Sequence, residues 1–304
     1  MRNLTTPTAS GAASPSEMSS GRWRDVLAKT TRAMIGQEMS MAAAAISFYA
    51  VWAFFPALVV LVMLSALLVG NMPVLWLLSE MSLELPESFN VVLISQLNAI
   101  ARQSRAFSIT TIFTSLVFSA WSGMRGVRAL ISALNGVYRE DEQRSFWQRQ
   151  AVALGLCTLG GAFILFALTL IIGFGDREAR LAAGSGLLGT LRWPLLSVAL
   201  MLTLSAIYRH GPCRKTPQWR WVTWGATASA VLWLAGSLVL SYWVAHYQVL
   251  KPLLGSLTSV VLFLFWCYLT VLTILLGAHI NAELERHTVV DTTSAGADGR
   301  SPRA

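Results

Sequence analysis

The chain has 304 residues, of which 55% are apolar and 12% charged, about half the charged fraction of an ordinary soluble domain. Twenty-three basic and fifteen acidic residues are too few to coat a soluble surface of this size, and the same figures exclude collagen-like, disulfide-rich and disordered chains. The net charge of +8 would point to nucleic acid in a soluble protein, but in an apolar chain it suits basic loops that set topology against an anionic leaflet. Cys157, Cys213 and Cys267 form neither a disulfide framework nor a zinc-ligand spacing.

In chain order, residues 1–20 are rich in Ser, Thr, Ala, Gly and Pro and read as a disordered tail. From about Gly21 to Met41 apolar and basic residues mix, among them Trp23, Val26, Leu27, Lys29 and Arg32. This pattern predicts a helix that lies at a membrane surface or docks on the bundle. No short apolar core with a small-residue cleavage site precedes it, so no secretory signal is expected. Six apolar runs follow, near Ala42–Gly70, Phe107–Trp121, Ala151–Phe174, Leu187–Tyr208, Trp221–Ala245 and Leu257–Ile280, all without Asp or Glu. Most approach the ~20 residues that cross a hydrocarbon core. The first would be ~43 Å long as a helix, and Pro56, which removes a backbone donor, is the natural place for a bend. The second carries Ser and Thr among its apolar residues and is expected to face protein. Arg192, near the start of the fourth, is expected to snorkel to the headgroups.

The connection Asn71–Ala106 predicts two amphipathic helices on either side of Pro86, Val74–Leu85 and another with Phe89, Val92, Leu93, Leu97 and Ile100 on one face. Gly123–Tyr138 continues the second run as a helix. The tail 288–304 reads as disordered, leaving 21–287 as the membrane domain. Counted by connection, seventeen Lys and Arg residues fall on one side and six on the other. The positive-inside rule therefore places both termini in the cytoplasm.

Chemistry is sparse. There is no phosphate-cradling loop ending in Gly-Lys, hence no ATP motor, and no H-E-x-x-H. Glu140-Asp141-Glu142 reads as a solvated turn, since adjacent carboxylates diverge on a helix. His279 and Glu283 at the inner edge of the last run are the sole relay-like pair. Small residues recur at helical spacing in Gly225-x-x-x-Ser229, Ala226-x-x-x-Ala230, Ser237-x-x-x-Ser241, and at Gly155 and Gly160-Gly161; such spacing ordinarily serves close helix packing.

Four ordered blocks then carry a resemblance. They are Ser47-Phe48-Tyr49-Ala50 with Phe55-Pro56; Trp121-Ser122 with Arg125-Gly126-Val127-Arg128-Ala129-Leu130 and Leu134-Asn135; Tyr208 with Pro212, Gly225-Ala226, Trp233 and Tyr242; and Gly255-Ser256-Leu257, Leu276-Gly277-Ala278 and Asn281-Ala282-Glu283-Leu284. Over roughly Arg22–Arg286 the chain resembles the YihY/BrkB family of bacterial inner-membrane proteins, formerly labelled ribonuclease BN. It departs from that pattern at His279, where the family usually has glutamate, and at Leu254, where it usually has an aromatic residue. The resemblance implies an all-α, multi-pass protein of the bacterial inner membrane: six transmembrane helices with amphipathic interfacial helices. It also implies an envelope role, through the family's links to serum resistance and envelope lipid export.

The expected activity is transporting or handling an envelope component such as an anionic lipid or amphiphile, with no ATPase, catalytic residue, metal or cofactor of its own. The alternatives are a non-transporting envelope scaffold and a ribonuclease. Membrane lipids are the expected partners, nucleic acid is not, and a homo-oligomer is compatible with the sequence. Candidate substrate or lipid contacts are Ser47, Tyr49, Pro56, Trp121, Arg125, Arg128, Asn135, Asn281 and Glu283. Arg125 and Arg128, three apart on a helix, share a face and suit an anionic group; the alternative is that both simply obey the positive-inside rule.

Overall fold

The computed structural model describes residues 20–69, 109–180, 186–214, 219–246 and 258–286. The two tails and both amphipathic helices expected within Asn71–Ala106 lie outside the described residues, as does the side chain of Arg192. The described residues form seven α-helices and no strand: α1 Ser20–Ile35, α2 Gln37–Val69, α3 Ile109–Tyr138, α4 Phe146–Arg180, α5 Gly186–His210, α6 Trp219–His246 and α7 Thr258–Arg286.

Among the described residues, four stretches are long and apolar enough to cross a membrane, by length and composition: Gln37–Val60, Phe146–Ala167, Thr223–Val244 and Val260–Arg286. They lie in α2, α4, α6 and α7. Helix α3 is less apolar than these stretches because it carries Arg125 and Arg128 as well as its hydroxyl residues.

Helix α2 is continuous through Pro56. Proline removes one bond of the ladder while the turns on either side keep theirs, so the helix runs on past the place where a bend is expected. The second run and its polar continuation form one helix, α3. It ends in a pair of reversed bonds, Glu140 N–H to the Asn135 carbonyl at 2.9 Å and Arg139 N–H to Gly136 at 3.1 Å. This C-terminal cap needs a left-handed residue, and Arg139 supplies it with φ 57°. Helix α4 starts with a reciprocal cap: Ser145 N–H donates to Gln148 Oε1 at 3.1 Å, and Gln148 N–H to Ser145 Oγ at 3.4 Å. That is the Ser-x-x-Gln capping box.

Each of α2 to α7 contacts the next, and α7 closes back on α2 while also touching α3; α1 lies against α7 and α2. Helix α1 is a docked helix: Val26 is buried with Ile280 and Leu284, and the Trp23 ring sits 5.8 Å from that of Trp224. The main core gathers Met39, Ala43 and Ile46 of α2, Leu130, Leu134 and Tyr138 of α3, Leu204 and Tyr208 of α5, Ala226 and Ala230 of α6, and Val271 to Ala282 of α7. All belong to one end of the bundle, the end that also bears most of the described arginines. Away from it, large apolar side chains such as Phe113, Leu165, Leu238 and Val239 are exposed, as lipid-facing residues would be.

Two contacts explain the small residues. On α3, Ser119 and Ser122 donate to the carbonyls of Ala53 and Tyr49 on α2, at 2.9 and 3.1 Å, and Gly126 leaves room for the Tyr49 Cβ. The polar residues at this part of α3 do face protein, whereas Phe113, Leu116 and Val117 on the same helix are exposed. Between α6 and α7, Gly225 and Gly277 meet backbone to backbone; a Cβ on either would overlap the other's carbonyl. Gly155, Gly160 and Gly161 correct the packing expectation. An added Cβ there meets no described residue, so among the described residues they serve no close crossing.

Candidate functional site

The chemistry-bearing side chains collect at the basic end, where helix termini leave carbonyls to be satisfied. The turn after α5 brings Arg214 back under the bundle. Its guanidinium donates twice to Glu285 of α7, at 2.7 and 2.8 Å, and once to the Tyr208 carbonyl at 2.7 Å. The two side chains are 0% and 3% exposed. Arg214 also stacks over the Tyr138 ring, 4.1 Å from its centroid. Burial pushes the Tyr138 hydroxyl above its usual range, against the opposing pull of the Arg214 charge. The phenol therefore stays neutral and serves as a platform for the cation.

Around this pair the ends are cross-linked. Arg144 donates to the carbonyls of Gly211, His210 and Pro212 at 2.9, 3.1 and 2.7 Å, where its charge complements the C-terminal pole of α5. Arg286 pairs with Glu283 and donates to the Val137 carbonyl at 3.1 Å. Lys29 of α1, half exposed, reaches the other oxygen of Glu283 at 2.9 Å. Glu140 is buried and Glu142 accepts from Asn135 at 2.9 Å, so the acidic cluster is built into this network and is not a freely solvated turn. Among the described residues no group of three or more His, Cys, Asp or Glu could hold a metal ion.

A pocket of about 320 Å³ opens beside this network, between α3 and α4, lined by Arg128, Ala129, Ser132, Phe146, Arg149 and Gln150. Arg128 donates to the Met124 carbonyl and to Gln150 Oε1, both at 3.3 Å. Arg149 Nε is buried without a hydrogen-bond partner. None of the six lining residues is a carboxylate.

The sequence candidates fall into three sets. Arg128 lines this pocket; Arg125 is exposed and stacks over the Trp121 ring at 4.3 Å, and is not among the lining residues. Asn135, Asn281 and Glu283 are cross-links: Cys213 N–H donates to Asn135 at 2.8 Å, and Gly225 N–H to Asn281 at 2.7 Å. Ser47 is fully buried and bonds within its own helix to Ala43 at 2.6 Å, Tyr49 packs at the α2–α3 contact, and Pro56 lies within α2. Ser47, Tyr49, Trp121 and Arg125 do not line the pocket described here. Arg149, Arg214 and Glu285 escaped sequence reasoning. Each lies in a charged stretch beside an apolar run, and its significance lies in a partner distant in sequence.

The family model described as Virulence factor BrkB matches residues 30–302. A ribonuclease-like protein, YfkH, of Bacillus subtilis (strain 168) is 28% identical over 179 residues, 56% of this chain and 64% of that protein. A UPF0761 membrane protein of Tolumonas auensis is 27% identical over 182 residues, 58% of this chain and 57% of that one. The UPF0761 membrane protein IL2447 of Idiomarina loihiensis is 25% identical over 165 residues, 52% and 56% of the two chains. The aligned part thus spans less than two thirds of each of these curated relatives. No solved structure matches. With a family model that covers most of its length, and long apolar helices of membrane-spanning character, the chain belongs to the BrkB family of multi-pass membrane proteins.

Proposed function

We propose that the protein spans the bacterial inner membrane six times, with both termini in the cytoplasm, and transports or handles an anionic envelope amphiphile without an ATPase or other enzymatic activity of its own. The observation that best supports this reading is the uneven packing of the bundle. The basic end is tied by Arg214–Glu285, Arg144 and Arg286, whereas α4 carries glycines that meet no neighbour. Helices knitted at one end can alter their spacing at the other, which is a hinge-like route for an amphiphile between leaflets. The seventeen-to-six distribution of Lys and Arg supports the orientation.

The dense cross-linking of the basic end favours a second reading, a static envelope scaffold. An unbiased lipid comparison of cells with and without the gene, repeated on overproduction, separates the two. Handling of an amphiphile predicts a reciprocal change in one anionic lipid class; an unchanged profile in both directions contradicts it. For topology, Ser16→Cys and Ser294→Cys should be shielded from impermeant thiol reagents in intact cells while Ser88→Cys labels. Labelling at both termini would overturn the orientation.

A further inference from the structure

We propose that the pocket between α3 and α4 binds the phosphate of an anionic lipid headgroup, held by Arg128 and Arg149. The inference depends on the proposed function for its membrane setting and on no transport step. Two guanidinium groups line a cleft that has no carboxylate in its lining. Arg149 sits in the opening turns of α4, whose first turn contains no acidic residue. The helix pole there is positive, so a cation is disfavoured and an anion favoured. The buried Nε of Arg149 has no hydrogen-bond partner among the described residues, so its desolvation is not offset by them. Arg128 is held by two bonds of 3.3 Å, long beside the ~2.7–2.9 Å of strong charged hydrogen bonds, so it can re-aim at little cost. Guanidinium forks match phosphate oxygens in pairs, and Ser132 and Gln150 add a hydroxyl and an amide.

A lipid is the source that fits the surroundings. Phe146 and Trp147, at the start of α4, are 66% and 79% exposed, as aromatic residues are where a span meets the headgroup layer. Beyond them α4 presents Leu154, Ile164 and Leu165 outward, an apolar track for acyl chains. A volume of about 320 Å³ lies at the low end of the ~300–1,000 Å³ of small-ligand sites. It accommodates a headgroup and leaves the chains outside.

The test is native mass spectrometry of the full chain in neutral detergent, titrated with phosphatidylglycerol, diacylglycerol or inorganic phosphate. One phosphatidylglycerol should bind at least tenfold more tightly than diacylglycerol. Arg128→Gln/Arg149→Gln should abolish that preference with an unchanged thermal midpoint, and Arg128→Lys/Arg149→Lys should weaken it about tenfold, because the charge stays and the fork is lost. If the Gln pair does not fold, the Lys pair alone decides. Unchanged phosphatidylglycerol preference in whichever variant folds would overturn the site. Equally tight binding of inorganic phosphate, sensitive to the same arginines, would overturn the lipid as its source. Binding in detergent requires no transport. A protein that binds but moves no lipid contradicts the functional reading alone; lipid movement together with binding that ignores both arginines contradicts the pocket alone.

Discussion

Arg214→Met should destabilise the protein by about 3–5 kcal/mol, the usual cost of stripping one partner from a buried ion pair. It leaves the Glu285 carboxylate, 3% exposed, without the two bonds that Arg214 donates to it, and removes the cation from the Tyr138 ring. Arg214→Met/Glu285→Leu should recover much of the loss, since two apolar residues of similar volume need no solvation. Thermal unfolding in detergent micelles, read as a double-mutant cycle, measures the coupling. Additive losses would mean that the pair does not hold the basic end together. Lys29→Met is the contrasting case: it removes a half-exposed partner of Glu283 and should cost no more than about 1 kcal/mol.

The second large effect is expected where α6 crosses α7. Gly277→Val places a side chain on the Ser229 hydroxyl, the Gly225 carbonyl and the Tyr208 hydroxyl. Ser229 and Tyr208 are themselves bonded at 2.6 Å, and Ser229 donates onward to Thr273 at 2.9 Å. Neither neighbour can move without giving up those bonds, so the cost should exceed the ~1–3 kcal/mol of ordinary overpacking. Gly155→Ala and Gly236→Ala are the controls. Their added methyl groups meet open space and remove a helix-interior glycine, so each should be neutral or stabilising by up to ~1 kcal/mol. Equal destabilisation at Gly277 and Gly155 would contradict the packing described.

These two experiments bear on what sequence alone makes legible. Helix positions were readable because apolar runs mark the helix centres: α5 and α6 lie within two residues of the expected runs, while α4 and α7 extend up to six residues past theirs into polar sequence. Helix faces were harder to read. Gly155, Gly160 and Gly161 have the same small-residue spacing as Gly225 and Ser229, yet a second helix approaches only the latter pair. Spacing describes a groove and says nothing of what fills it. At the candidate site, Arg128 and Asn135 were identifiable as unusual polar residues on an otherwise apolar helix. Arg149 was not, because its meaning comes from the α3–α4 packing that places it beside Arg128. The pairing of Arg214 with Glu285, 71 residues apart, is likewise a product of topology.

The proposed handling of an anionic amphiphile is tested most directly in sealed vesicles. Purified protein would be reconstituted into phosphatidylcholine vesicles with a trace of headgroup-labelled phosphatidylglycerol, and the label in the outer leaflet bleached by an impermeant reductant. Without protein about half of the label is protected, because slow flip-flop leaves the inner leaflet untouched. Amphiphile movement predicts that the protected fraction falls toward zero with wild-type protein. A protected fraction that stays at one half, in vesicles shown to contain folded protein in both orientations, would contradict it and leave the scaffold reading.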